Sequence, residues 1–407
     1  MINRNFTLLW VSQTISQLGD KFYAIALAWW ILEKTHSPSI MGLFLLTATL
    51  PGVLAGILAG ALVDRWRRKS VLIATDSLRG LVVLLVYALS AHGTLEVAHV
   101  FAAGFGISLI TAFFDPALQT IIPEVVDEGD RVKANSMYQM IGGLCKIAGP
   151  LLGALAIALF GWDWVFLGNS LSYFAAALLS CLLSVVAGSV VAPTHGSVWA
   201  SIREGLAFIR VQSRIVQVLK IIAVAHVFVG GLAVLLPFLA NGLDGVGVNN
   251  LGYLEMCIGI GLVGGSVFIG TRKALFADER KLSLSVLFIG TAFAAVGIAQ
   301  HLALRGLPVY LIVLVLVGGG IAFAAVFWQS LLQRYTPDPL RGRVFSLATL
   351  IGNTSLPLAY GVFGFLLDHS TIAVLMMLSG LCLIGLAAYD LIADRLRTLA
   401  FSGIGEE

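Results

Sequence analysis

Charge is what this sequence has least of. Asp, Glu, Lys and Arg make up 12% of its 407 residues, about half the roughly 25% carried by a soluble domain. Hydrophobic residues account for 58% and the mean hydropathy is +0.95. That balance excludes a water-soluble globule and fits a chain solvated by lipid. Cysteine is equally sparse. Cys145, Cys181, Cys257 and Cys382 stand singly in apolar runs, which excludes a disulfide framework or a cysteine metal site and leaves them as small packing residues. A net charge of +3 is too small for a nucleic-acid binder. HExxH, GxSxG and paired-Asp signals are missing as well, so neither an enzyme activity nor a cofactor nor a metal is expected. The opening MINRNFTLLW has no small-residue cleavage site and is read as the start of a first span, not as a removable signal.

What is there is apolar length. A membrane helix needs about 20 mostly apolar residues, and the pattern predicts spans at 6–32, 39–62, 70–91, 97–118, 136–160 and 164–186, then 214–240, 250–271, 282–300, 307–330, 344–366 and 371–393. Twelve is even, so both termini share a side. Of 25 basic residues, Lys21, Arg79, Lys146 and Lys220 fall inside spans and Lys34 and Arg305 in odd-numbered loops; the others sit at the termini, the centre or even-numbered loops. By the positive-inside rule those regions, and both termini, are cytoplasmic. The expected organisation is a six-helix bundle at 1–186, a cytoplasmic linker at 187–213 and a second bundle at 214–407. Within the linker Trp199, Ile202, Leu206 and Ile209 recur at helical spacing opposite Arg203, Glu204 and Arg210, as in an amphipathic helix on the membrane face; the alternative is an unstructured connection.

The two halves repeat at an offset of 210. Gly42 matches Gly252, Gly60 matches Gly270, Gln119 matches Gln329, Arg131 matches Arg341, Ser136 matches Ser346 and Gly142 matches Gly352. Each pair falls at the same point of the helix-loop pattern. A parallel repeat of six spans is how several transporter folds build a midplane substrate site.

Between spans two and three the chain reads Gly60-Ala61-Leu62-Val63-Asp64-Arg65-Trp66-Arg67-Arg68-Lys69. This resembles the major-facilitator signature G-x-x-x-D-R-x-G-R-K, with Arg67 at the second glycine. Span five carries Gly142 and then Gly149-Pro150-Leu151-Leu152-Gly153, which is similar to the Gly-Pro motif of major-facilitator antiporters. Asp76 and Arg79, Pro116-Ala117-Leu118, Arg203-Glu204-Gly205-Leu206 and Arg341-Gly342-Arg343-Val344-Phe345-Ser346 extend the resemblance to the macrolide-efflux and enterobactin-exporter branch. The resemblance implies an all-α integral membrane protein with twelve transmembrane helices in two pseudo-symmetric six-helix bundles. It also implies that Asp64, beside Arg65, holds span two against the start of span eleven, and that Arg68 relays to an acid at the end of span four, where Asp115 is the candidate. Gly60, Lys146, Gly149, Pro150, Arg341 and Arg343 complete the expected gating set. Drug-proton antiporters of this superfamily usually carry an arginine midway along span four; 97–118 has none, only Ser108 and Thr111 as uncharged polar residues between Phe105 and Phe113.

An ionisable group inside a span costs at least about 2.5–3.5 kcal/mol on insertion scales and marks function by default. Gln13, Gln17 and Asp20 share a face of span one with Lys21. Asp20 lies about 21 Å along it at about 1.5 Å per residue, near the midplane. It is the leading candidate for proton coupling or cation binding; the alternative is a structural Asp20–Lys21 pair. Glu255 near the start of span eight is a second candidate, and a Lys146–Glu255 gate pair a third possibility. His226 is read as a core residue. Trp29, Trp30, Trp162 and Trp164 are read as interface anchors. Phe113 and Phe114 on span four, with Phe323, Phe327 and Trp328 on span ten, would make a greasy wall suited to amphipathic substrates. The expected function is proton-coupled export of a drug, macrolide or siderophore; the rival is a lipid or lysophospholipid mover. The expected partners are a small-molecule substrate, protons and the bilayer, not nucleic acid, and the chain is expected to act as a monomer.

Overall fold

Apolar length translates directly into helix. The computed structural model describes residues 2–63, 66–184, 198–271 and 278–402, and no strand occurs among them. In chain order the helices are α1 (Arg4–Thr35), α2 (Pro38–Thr47), α3 (Leu50–Val63), α4 (Arg68–Ala91), α5 (Val97–Val125), α6 (Arg131–Phe160), α7 (Trp162–Cys181), α8 (Val198–Val211), α9 (Ser213–Gly242), α10 (Gly247–Thr271), α11 (Glu279–His301), α12 (Leu307–Tyr335), α13 (Asp338–Asp368) and α14 (Ile372–Ser402). Eleven segments among the described residues are long and apolar enough to cross a membrane, α2 and the start of α3 counting as one. The twelfth expected span is α1. Its 32 residues are ample in length, but Gln13, Gln17, Asp20 and Lys21 interrupt the apolar run.

Proline does not end these helices. α5 continues through Pro116 and Pro123, α6 through Pro150, α9 through Pro237 and α13 through Pro357. Without water to take up freed backbone groups, the helical bonding pattern is retained around the proline and neighbours satisfy what it releases. Span four therefore reaches Val125, not 118 as expected. Span two does break, at Ala48 and Thr49. There Ser108 of α5 accepts a hydrogen bond from the Gly52 amide (2.8 Å) and donates one to the Thr49 carbonyl (3.3 Å). Lipid cannot satisfy an exposed amide, so the hydroxyl does.

Contacts divide the chain into two units: residues 1–195 with 245–256, and residues 196–244 with 257–407. In the first, α1 lies against α6 and α7, α4 against α5 and α7, and α3 against α5. A cluster of Phe6, Leu9, Val63, Leu72, Phe114 and Ile121 ties one end of α1, α3, α4 and α5 together. Trp29 and Trp30 belong to the interior, 6% and 2% exposed. The expected interface role fails for them because α1 is covered there by its neighbours; Trp164, at 64%, is exposed. In the second unit α11 packs on α12 and α14, and α13 on α9. The linker helix α8 lies on α13: Glu204 pairs with Arg343 at 2.6 Å, and Ile209 is buried. The side chain of Trp199 lies outside the described residues.

Candidate functional site

The polar face of α1 meets its partners inside the first unit. Gln13 is buried, and its Nε2 has no partner among the described residues. Gln17 reaches the Tyr138 hydroxyl of α6 at 3.5 Å. Asp20 accepts a hydrogen bond from the hydroxyl of Tyr173 on α7. The Tyr173 ring in turn lies under a cation. The guanidinium of Arg79 on α4 sits 4.6 Å from the Tyr173 ring centre and 3.9 Å from that of Phe114 on α5. The same guanidinium is ion-paired with Asp76 one turn earlier, both side chains being buried. Three helices, α1, α4 and α7, thus share one chain of contacts, Asp76–Arg79–Tyr173–Asp20, and α5 adds Phe114 to it.

Asp115 joins this group electrostatically. It is next to Phe114 on α5, and both it and Asp20 lie within reach of the Arg79 charge. One carboxylate, Asp76, pairs with this guanidinium, while Asp20 and the exposed Asp115 feel its charge at longer range and Asp20 also feels the Lys21 ammonium. Asp76 Oδ2 and Arg79 Nε are buried without a hydrogen-bond partner among the described residues. Such incomplete satisfaction is costly in a low-dielectric interior and is the usual mark of a group kept for function. No grouping of His, Cys, Asp and Glu among the described residues has the spacing of metal ligands.

Arg79 is the residue that the sequence reading undervalued. Its signal was available: a basic residue inside an apolar span, three positions after an aspartate and so on the same helix face. It supplies from span three the buried guanidinium that span four lacks. The helix α5 extends seven residues beyond 118, so Asp115 lies inside the helix and not at its end as expected.

The same extension corrects the gate relay. Arg68 pairs with Glu124, not Asp115, and also reaches the Thr120 carbonyl at 3.4 Å. Glu124 lies nine residues further along α5, about 13 Å nearer its end. Asp64 and Arg65 lie outside the described residues. A methyl group on Gly60 would meet nothing within 4 Å, whereas one on Gly149 would come 2.5 Å from Lys21 Cβ and one on Gly153 3.0 Å from Phe22 Cα. The Gly-Pro segment is thus where α6 meets α1, and Pro150 lies in the same buried stretch. Its other side meets α10, since a methyl on Gly252 would approach the Pro150 carbonyl to 2.9 Å. Lys146 is exposed and forms no ion pair with the half-buried Glu255 among the described residues; Glu255 lies instead within reach of Lys21.

Phe113 does not join Phe114 in the charged group. Two residues from Asp115, about 200° around α5, it stacks on Trp66 with ring centres 6.0 Å apart. In the second unit Phe327 is buried beside Phe323 (6.5 Å), and Trp328 stacks on Phe345 (6.5 Å). Arg341 pairs with Asp338 at 2.6 Å and Arg343 with Glu204. His226 points its Nδ1 at the Ile222 carbonyl of its own helix, 2.8 Å away.

The family model described as Major Facilitator Superfamily matches residues 9–360. Macrolide efflux protein A of Streptococcus pyogenes is 22% identical over 401 residues, 97% of each chain. Multidrug efflux pump Tap of Mycolicibacterium fortuitum is 26% identical over 406 residues, 94% of this chain and 93% of its own. Among solved structures, nucleoside transporter NupG superposes with a TM-score of 0.78 at 10% identity, covering 95% of this chain and 98% of that one. A bacterial homologue of the iron transporter ferroportin in an inward-facing state gives 0.73 at 16% identity, with coverages of 95% and 98%.

Proposed function

The chain belongs to the major facilitator superfamily, and from that premise we propose that it is a proton-coupled exporter of a hydrophobic or amphipathic small molecule. It is a multi-pass membrane transporter whose full-length relatives are efflux pumps. That likeness supports the drug and macrolide classes. Residence in the cytoplasmic membrane with both termini inside follows from the basic residues of the even-numbered loops.

The observation that carries the proton coupling is the contact chain Asp76–Arg79–Tyr173–Asp20. Asp20 accepts from Tyr173 as a carboxylate; a proton on Asp20 removes the negative charge that helps to balance Arg79. The guanidinium is then balanced by its partner Asp76 and, at longer range, by Asp115. One protonation event therefore changes the forces among α1, α4, α5 and α7, and a change in those forces shifts the equilibrium between transport states. Lys21 competes for the same carboxylate, and Gly149 holds its stem close to α6.

The test uses inverted vesicles, an imposed proton gradient and a fluorescent dye or labelled macrolide. Asp20→Asn should abolish accumulation against a gradient yet retain downhill exchange. Wild-type accumulation by Asp20→Asn would sink the assignment.

A further inference from the structure

Arg67 stands where the signature has glycine, and nothing in the transport mechanism uses it. Arg68 is committed to Glu124, and Lys69 to the carbonyls of Cys181 and Leu183 at 2.8 and 2.7 Å. Arg67 is exposed at the start of α4 and caps that helix with no side-chain hydrogen bond. Its chain neighbour Trp66 and Ser70, one turn further on, line a cavity of about 440 Å³ between α4 and α5, together with Ala74, Leu78, Leu109, Ile110 and Phe113 among others. From Ser70 to Leu78 it follows α4 for about 12 Å at about 1.5 Å per residue. Thr75, one of its two hydroxyl residues, already donates to the Val71 and Leu72 carbonyls, and Ser70 sits at the mouth. The groove thus presents hydrocarbon along its length and a cation at its end. Exposed Leu78, Leu81 and Leu85 continue it along α4, an apolar surface that a bilayer solvates.

We propose that this groove holds one acyl chain of an anionic glycerophospholipid of the surrounding bilayer, with its phosphate on Arg67. A guanidinium suits a phosphate because it offers paired donors in a fixed plane. The half-exposed Trp66, stacked on Phe113, is placed where the chain meets its headgroup, the depth that tryptophan favours. The site is independent of what the protein exports.

Trp66 makes the test optical. Full-length protein is reconstituted in phosphatidylcholine vesicles containing dibrominated phosphatidylglycerol or, separately, dibrominated phosphatidylcholine. The quenching due to Trp66 is the difference from Trp66→Phe. Phosphatidylglycerol should quench that component at about fivefold lower mole fraction than phosphatidylcholine, the factor expected of one basic residue near the membrane surface. The preference should fade at high salt. Arg67→Gly should abolish the preference and leave quenching by phosphatidylcholine. Ala74→Phe and Leu109→Phe, two independent ways to fill the groove, should suppress both; either variant that remains monodisperse suffices. Equal quenching by the two lipids in the wild type, a preference that survives Arg67→Gly, or displacement of the lipid by a transported dye would each overturn the proposal.

Discussion

Arg79 shows why a single residue type cannot be exchanged freely at the charged site. Its guanidinium lies between the faces of Phe114 and Tyr173 while pairing with Asp76. A planar cation does both at once; an ammonium keeps the charge but loses the stack. Arg79→Lys should therefore fold and transport poorly. Arg79→Met strands Asp76 as a buried, unpaired charge and should destabilise by about 3–5 kcal/mol. Adding Asp76→Asn should recover much of that loss, since removing both partners is far cheaper than removing one. Thermal unfolding of the purified variants measures this, and a double variant no more stable than Arg79→Met would show that the pair is not the source of the cost. Tyr173→Phe separates ring from hydroxyl: the ring stays over Arg79 and the bond to Asp20 goes. Its stability should fall by about 1.5–3 kcal/mol, the loss of a hydrogen bond to a charged group, and proton-driven accumulation per folded protein should fall as well. Unchanged accumulation in vesicles would show that the hydroxyl plays no part in coupling.

At the scale of the element, glycine decides which helices meet. α6 presents Gly149 and Gly153 to α1 at Lys21 and Phe22, with no room for a methyl group at either. Gly149→Ala and Gly153→Ala force two helices apart and should each cost about 1–3 kcal/mol by overpacking. Gly168→Ala on α7, where a Cβ meets nothing within 4 Å, should be neutral or stabilising by about 0.4–1 kcal/mol. Melting temperatures that fail to separate the two groups would place the α1–α6 contact elsewhere. The sequence made the Gly-Pro segment visible as a motif, but not that Lys21 was its partner. It made the spans visible because apolar length is a local property. It placed the end of span four at 118, whereas the helix runs through Pro116 and Pro123 to Val125. The Arg68–Glu124 pair lies beyond that end, so the boundary error hid it. The linker helix was legible from its spacing; its Glu204–Arg343 attachment to α13 was not, because pairing between distant segments leaves no trace in periodicity.

Across the whole molecule the repeat of helices does not extend to the buried charged group. At the offset of 210, Asp20 corresponds to Gly230, Asp76 to Val286, Arg79 to Ile289, Asp115 to Ala325 and Tyr173 to Leu383. Every member of the charged group is replaced by an apolar residue or glycine in the second half. The second unit has a buried acid of its own at a different place: Asp390 on α14 accepts from Gln217 on α9 and Ser283 on α11. Their counterparts in the first half are Ser180, Thr7 and Ile73, so this network too is unrepeated. Among the described residues Asp390 is not ion-paired with a cation as Asp76 is with Arg79, and the donors Gln217 and Ser283 are neutral, as befits a tie between three helices. The two acids should therefore answer differently to the same chemical change. Asp390→Asn keeps an oxygen to accept from one neighbour, loses one bond of the pair, and should lower the unfolding temperature by the loss of a buried hydrogen bond to a charged group, about 1.5–3 kcal/mol. Accumulation driven by an imposed proton gradient should persist in the protein that remains folded. Asp20→Asn should do the reverse, leaving the unfolding temperature near wild type and removing the drive. Vesicle accumulation normalised to folded protein reads both, and loss of the proton drive in Asp390→Asn with its retention in Asp20→Asn would reverse the division of labour between the halves.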